Sequence, residues 1–148
     1  MAAKDAEARE AWRLVTELFL SSEMRDRFHD ACAAVGLPHP GSLKALIQLD
    51  ESDPPSMRQM AEALRCDASY ITGLVDALEE LGYVERRGST TDRRVKTVHL
   101  TDAGRQAKED ALVVVTEPPK GLDVLSASEI RTLKRLVGKV AAVYTDLP

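Results

Sequence analysis

Apolar residues recur along this chain first at helical spacing and then at strand spacing. Between Asp5 and Val35, the positions Trp12, Val15 and Phe19, then Phe28 and Cys32, are separated by three, four or multiples of these, which predicts one long helix. Gly36 and Pro38 end it, glycine being the residue that best tolerates a left-handed stop. So long a helix in a small domain implies that part of it packs outside its own core. A second helix is expected from Pro40, a residue suited to the first helical position, through Leu43, Leu46, Ile47 and Leu49 until the break at Asp50 to Pro55. Ser56 and Gln59 have the spacing of a capping box for a short helix carrying Met60, Ala61 and Leu64 and stopping near Arg65. Asp67 then reads as the N-cap of a helix from Ala68 to Leu81, with Ile71, Leu74, Val75, Leu78 and Leu81 inward and Gly82 closing it.

Beyond Gly82 the period changes to two. Tyr83 to Arg86 and Val95 to Leu100 alternate and favour β-branched residues, so they predict two strands. The small polar run Gly88 to Asp92 joins them as a hairpin loop longer than a tight turn. Thr101 caps a further helix to about Glu117, interrupted by Pro118, Pro119 and Gly121. A second capping box, Ser126 with Glu129, opens a last helix carrying Ile130, Leu133, Val137, Val140 and Tyr144. The expected order is four helices, a β-hairpin and two helices: a mainly α fold with a small β-hairpin wing.

With 148 residues, 44 % hydrophobic and 30 % charged, the chain has the balance of one folded unit and not of a disordered segment. No apolar run approaches the ~20 residues of a membrane span. The N-terminal MAAKDAEAREAW lacks the apolar centre of a signal peptide, so a cytoplasmic location is expected. Cys32 and Cys66 form no CxxC pair and read as small buried residues. A net charge of −4 argues at first against a nucleic-acid partner, but the charges are segregated. Residues 86–96 gather Arg86, Arg87, Arg93, Arg94 and Lys96 against the single acid Asp92.

That patch follows two short helices joined by Arg65-Cys66-Asp67, and the combination is a winged helix-turn-helix pattern. The Ala68–Leu81 helix is anchored by its apolar face, leaving Ser69, Tyr70, Thr72, Gly73 and Asp76 near its exposed N-terminal half. This is the end of a recognition helix that enters the major groove; Gly73 permits close approach. The hairpin arginines suit phosphates and the negative potential of a narrow minor groove. Double-stranded DNA is the expected partner, with Ser69, Tyr70, Thr72, Gly73, Arg86, Arg87, Asp92, Arg93, Arg94 and Lys96 as candidate contacts.

The run from Asp92 to Gly104, DRRVKTVHLTDAG, resembles the DxR…LTxxG wing signature of the MarR family of bacterial regulators. Leu74 to Val84 is similar to that family's recognition-helix ending, and Leu125-Ser126-Ala127-Ser128-Glu129 to its last helix start. The resemblance implies a homodimer whose first and last two helices intertwine. Residues 1–36 and 102–148 would form a helical dimerisation region and 37–101 a winged helix-turn-helix lobe. It also implies recognition helices in successive major grooves of a pseudo-palindrome, with half-sites about 34 Å apart. By the same resemblance Arg94 is the minor-groove residue, Asp92 its partner and Arg93 an added phosphate contact. Ala77 stands where many members carry a cation, and Glu79 and Glu80 make the helix's second half acidic.

Trp12, Val15 and Phe19 are expected to build a dimer interface. The resemblance also implies a pocket for small aromatic or phenolic effectors, for which Trp12, Arg13, His29 and His39 are the candidates. His29 and Cys32 lie one turn apart with His39 beyond, short of the ligand set that zinc requires; no metal or other cofactor is expected. Cys32 has no adjacent cation to lower its pKa and make it a redox sensor. No phosphate loop, HExxH or nucleophile elbow is present, so enzymatic activity is not expected. A redox or metal sensor, or a winged helix that binds protein instead of DNA, are the alternatives. The expected protein is a ligand-responsive repressor.

Overall fold

The computed structural model describes residues 2–89 and 94–145. In chain order it contains α1 (Ala2–Phe19), α2 (Ser22–Ala34), α3 (Pro40–Gln48), α4 (Met57–Leu64) and α5 (Ala68–Glu80). There follow β1 (Val84–Gly88), β2 (Lys96–Leu100), α6 (Asp102–Thr116) and α7 (Ala127–Thr145), with a 3-10 turn at Lys120–Val124 before α7. The chain forms two compact units, one up to Glu117 and one from Pro118 onward.

The opening apolar run is two helices and not one. Ser21 has extended backbone and its side chain accepts the Met24 N–H at 3.3 Å, so it caps a new helix. The apolar period continues across the break, but a serine that satisfies a free amide restarts the ladder there. The remaining boundaries follow the sequence closely. Ser56 and Gln59 make the reciprocal capping box; Asp67 accepts the Tyr70 N–H at 2.7 Å; Thr101 accepts the Gly104 N–H at 3.0 Å. Ser126 and Glu129 close the second box at the start of α7.

In the first unit a single core joins α2, α3, α5, α6 and the hairpin. Leu43, Leu46, Ile71, Val75, Leu78, Val84 and Val98 are its almost completely buried members. The hairpin is antiparallel, pairing Val84 with Leu100, Arg86 with Val98 and Gly88 with Lys96. A third segment joins its edge: the Val98 N–H donates to the Pro55 carbonyl at 2.9 Å, and Ser56 pairs with Thr97. The wing is thereby tied to the start of α4.

The root of the wing is locked by a close backbone approach. A Cβ on Gly104 would lie 1.8 Å from the Tyr83 carbonyl oxygen. That oxygen accepts the Thr101 N–H at 3.0 Å, and Thr101 Oγ1 donates to the Gly82 carbonyl at 2.5 Å. The Tyr83 hydroxyl in turn donates to the Val35 carbonyl at 2.7 Å. Thr101 and Gly104 thus join the end of α5, the first strand, α2 and α6 in one place.

By contrast, α1 presents Trp12, Leu18 and Phe19 exposed. In the second unit, α7 exposes Leu133, Leu136, Val137, Val140 and Tyr144, which at helical spacing form a single stripe.

Candidate nucleic-acid interface

The turn between α4 and α5 contains Arg65 in the left-handed region, at φ +52°. The Cys66 N–H reaches back to the Ala61 carbonyl at 3.0 Å, closing α4 in the manner of a Schellman motif. Asp67 follows at once as the α5 cap. Hydrogen bonds from the Ser69 hydroxyl and the Tyr70 N–H hold its carboxyl below the usual carboxylate range, so the cap is charged at neutral pH.

The exposed N-terminal part of α5 presents Ser69, Tyr70, Thr72 and Gly73. Their chemistry differs from what residue type alone implies. Ser69 Oγ donates to Asp67 at 2.7 Å, and Thr72 Oγ1 donates to the Ala68 carbonyl at 2.7 Å. Both hydroxyl protons are directed inward, leaving their oxygens as acceptors. A Cβ added at Gly73 would meet no atom within 4 Å, so the surface there is open. Tyr70 is half exposed, its ring stacked on His39 with centroids 6.4 Å apart and planes at 26°.

The strand period separates the wing cations that the sequence places side by side. Arg86 shares the inward face with Val84 and Val98, while Arg87, opposite Thr97, points to the other face. Arg86 is accordingly engaged by α5: its guanidinium pairs with Asp76 at 2.5 Å and also with Glu79. Its backbone N–H donates to the same Glu79 at 3.2 Å. The acidic second half of α5 therefore has a role, since Asp76 and Glu79 fasten the wing root to the helix. Arg86, expected as a DNA contact, is in this structure a pin between two elements. Arg87 pairs with Glu85 on its own strand. Lys96 and Arg94 are exposed, and Arg94 has a polar interaction of its own. Asp92 and Arg93 lie outside the described residues.

If Arg86 pins and does not touch phosphate, Arg86→Gln should cost about 1 kcal/mol of stability, as a partly exposed ion-pair network does. It should leave the salt dependence of DNA binding unchanged, whereas loss of a phosphate contact lowers that slope by about one. Urea unfolding and binding titrations at several salt concentrations read the two quantities separately.

The outer face of the wing borders a polar cleft of about 390 Å³ lined by Glu51, Glu85, Arg87, His99, Asp102 and Arg105 among others. Arg105 spans Asp102 and, at 3.4 Å, Glu51. An apolar groove of about 560 Å³ runs between α4 and α5, past Met57, Ala61, Cys66 and Ile71.

The residues expected to line an effector pocket have local partners. Trp12 is 67 % exposed on α1, and Arg13 is held between Glu10 and Glu17 of the same helix. His29 Nδ1 lies 2.9 Å from the Arg25 carbonyl. His39 is the N-cap of α3, its Nδ1 accepting the Gly41 N–H at 3.1 Å. The sequence signal for that role is Pro40, which fixes position N1 and leaves His39 at the cap. Cys32 is buried, which pushes its thiol pKa up and lowers the thiolate fraction an oxidant needs. Among the described residues no group of three or more His, Cys, Asp or Glu is placed to hold a metal, and no helix is long and apolar enough to cross a membrane.

A helix-turn-helix whose second helix is pinned to a hairpin wing is the winged-helix arrangement. The MarR family profile matches residues 39–96, from the His39 cap to the first residue of β2. YpoP of Bacillus subtilis, an uncharacterized HTH-type transcriptional regulator, is 33 % identical over 93 residues, spanning 62 % of this chain and 66 % of that one. Apo MarR from E. coli shares the fold, with a TM-score of 0.72 at 22 % identity over 86 % of this chain and 93 % of that one. CouR from Rhodococcus jostii RHA1, solved with p-coumaroyl-CoA, gives a TM-score of 0.60 at 26 % identity over 80 % of this chain and 83 % of that one. The chain belongs to the MarR family. It is a DNA-binding transcriptional regulator, and the family is one of regulators and not of enzymes.

Proposed function

We propose that this regulator acts in the cytoplasm as a homodimer on a pseudo-palindromic operator and represses transcription there. The observation that carries the dimer is the apolar stripe of α7, where Val137, Val140 and Tyr144 are each more than half exposed. Contiguous exposed apolar stripes mark association surfaces, and the α1 residues Trp12 and Phe19, 67 % and 61 % exposed, present a second. A second copy of the chain is the occupant we assign, with 1–36 and 102–148 forming the dimerisation region and 37–101 the reading lobe. A two-fold dimer then places two copies of α5 in successive major grooves. Tyr70, Ser69, Thr72 and Gly73 face the base edges and adjoining phosphates; Arg94 reaches the minor groove, and Arg87, Arg93 and Lys96 lie along the backbone.

A small aromatic acid or its thioester is the effector class we assign, supported by the aromatic acyl ligand of CouR. Such a ligand lowers occupancy only by as much as it prefers a dimer with differently spaced reading helices.

Selection of bound duplexes from a random-sequence pool, with sedimentation of the free protein, tests the proposal. A dimer that recovers an inverted repeat, and whose affinity falls steeply with salt at about −0.9 per phosphate contact, is the expected result. A monomer in solution would remove the two-fold reading. Recovery of no duplex above background would favour a protein partner, and recovery of an unpaired half-site would overturn the pseudo-palindrome.

A further inference from the structure

We propose that His39 and Gly41, on α3, are positioning residues that form a seat for Tyr70 and so set how the recognition helix meets DNA. The inference rests on the reading of Tyr70 as a DNA-facing side chain. Tyr70 has no buried pocket of its own: it is 48 % exposed and sits on the first turn of a different helix. The His39 ring stacks on it. Its hydroxyl lies over Gly41, where an added Cβ would come within 2.5 Å of the Tyr70 oxygen. An exposed aromatic side chain otherwise samples several rotamers, and fixing one before binding removes an ordering cost from association.

The seat is itself rigid. Because the Gly41 N–H donates to His39 Nδ1, the ring proton of the neutral imidazole is on Nε2, and the ring plane is held by the cap of α3. The α3 N-terminus, fixed by Pro40 at its first position, therefore carries the stacking surface as part of its capping geometry. One side chain serves two ends: it caps α3 and braces the residue that α5 presents.

These two roles separate by substitution. Asparagine is among the best N-caps, so His39→Asn keeps the α3 cap and removes the stacking ring. Gly41→Ala adds a methyl 2.5 Å from the Tyr70 hydroxyl oxygen and 2.9 Å from His39 Cε1, so it displaces Tyr70 and also pushes the His39 ring against its cap of α3. Both variants are measured for melting temperature and for affinity to a duplex recovered by the selection above, alone and combined with Tyr70→Ala. We expect an unchanged melting temperature for His39→Asn, whose cap is kept, a loss of about tenfold for Tyr70→Ala, and a loss of at least about threefold for each seat variant. In the Tyr70→Ala background the seat variants should cause no further loss, since their effect passes through that ring.

Affinity within about twofold of the parent for both seat variants, with Tyr70→Ala weakened, overturns the seat and leaves Tyr70 as a DNA contact. Additive losses overturn it as well, because His39 would then be meeting DNA directly. Affinity unchanged in Tyr70→Ala removes both the seat and the Tyr70 reading, while the wing is tested on its own through Arg94.

Discussion

Gly104→Ala is expected to destabilise the folded chain by about 2 to 3 kcal/mol, the balance of two opposed effects. Alanine is the better helix former, by about 1 kcal/mol in a helix interior. Its Cβ would however lie 1.8 Å from the Tyr83 carbonyl oxygen, and backbone has to move to admit it. Overpacking of this kind costs about 1–3 kcal/mol and occasionally more. Here the displaced carbonyl also gives up its hydrogen bond from Thr101, so the steric effect wins. For a chain of this size the melting temperature should fall by roughly 5–10 °C. Gly73→Ala is the internal control. It makes the same exchange in α5 where nothing lies within 4 Å, and it should raise stability by up to about 1 kcal/mol. If Gly104→Ala melts with or above the parent, the wing root is not closed by this contact. The glycine of the LTDAG run is thus explained by a backbone that passes too close for a side chain.

The helices, caps and hairpin are legible in the sequence because they depend on neighbours in the chain. A capping box, a proline at N1 or a strand alternation is a local match between a side chain and the backbone a few residues away. The division of the first helix is hidden because apolar spacing continues through Ser21, where a local cap overrides the period. The candidate site is legible as a region and less so as individual residues. Arg86 and Arg87 are adjacent and alike, yet alternation sends one toward Asp76 and Glu79 and the other to the opposite face. The acidic end of α5 is a departure from a DNA-binding helix only while the wing is left out; folded against it, the wing supplies the cation those acids bind. Sequence proximity groups His39 with His29 and Cys32. Its spatial neighbour, Tyr70, is thirty-one residues on and meets it only after α3 and α5 pack through Leu43, Leu46, Ile71 and Leu74. Charge type and period are written locally, whereas the partner that engages each charge is chosen by tertiary packing.

Arg94→Ala is expected to produce the largest loss of DNA affinity of any single change in the wing, with the protein still folded. Arg94 is exposed and stands two residues before Lys96, the first residue of β2. It contributes nothing to the core formed by Val84, Val98 and Leu100, so its removal should leave the melting temperature near that of the parent. A charged hydrogen bond is worth about 1.5–3 kcal/mol, which predicts a fall in affinity of roughly ten- to a hundredfold at fixed salt. Two further readouts identify what was lost. A minor-groove arginine is attracted by the deep negative potential of narrow A·T-rich segments, so the variant should select flanks with a weaker A·T preference. A phosphate contact alone would lower the salt slope by about one and leave the selected sequence unchanged. Affinity equal to the parent's at the same salt would sink the wing assignment. A loss of affinity accompanied by a lower melting temperature would mean that Arg94 holds the hairpin in shape. The comparison with Arg86→Gln then becomes decisive, because that residue is pinned to α5 and its loss should register in stability and not in the salt slope.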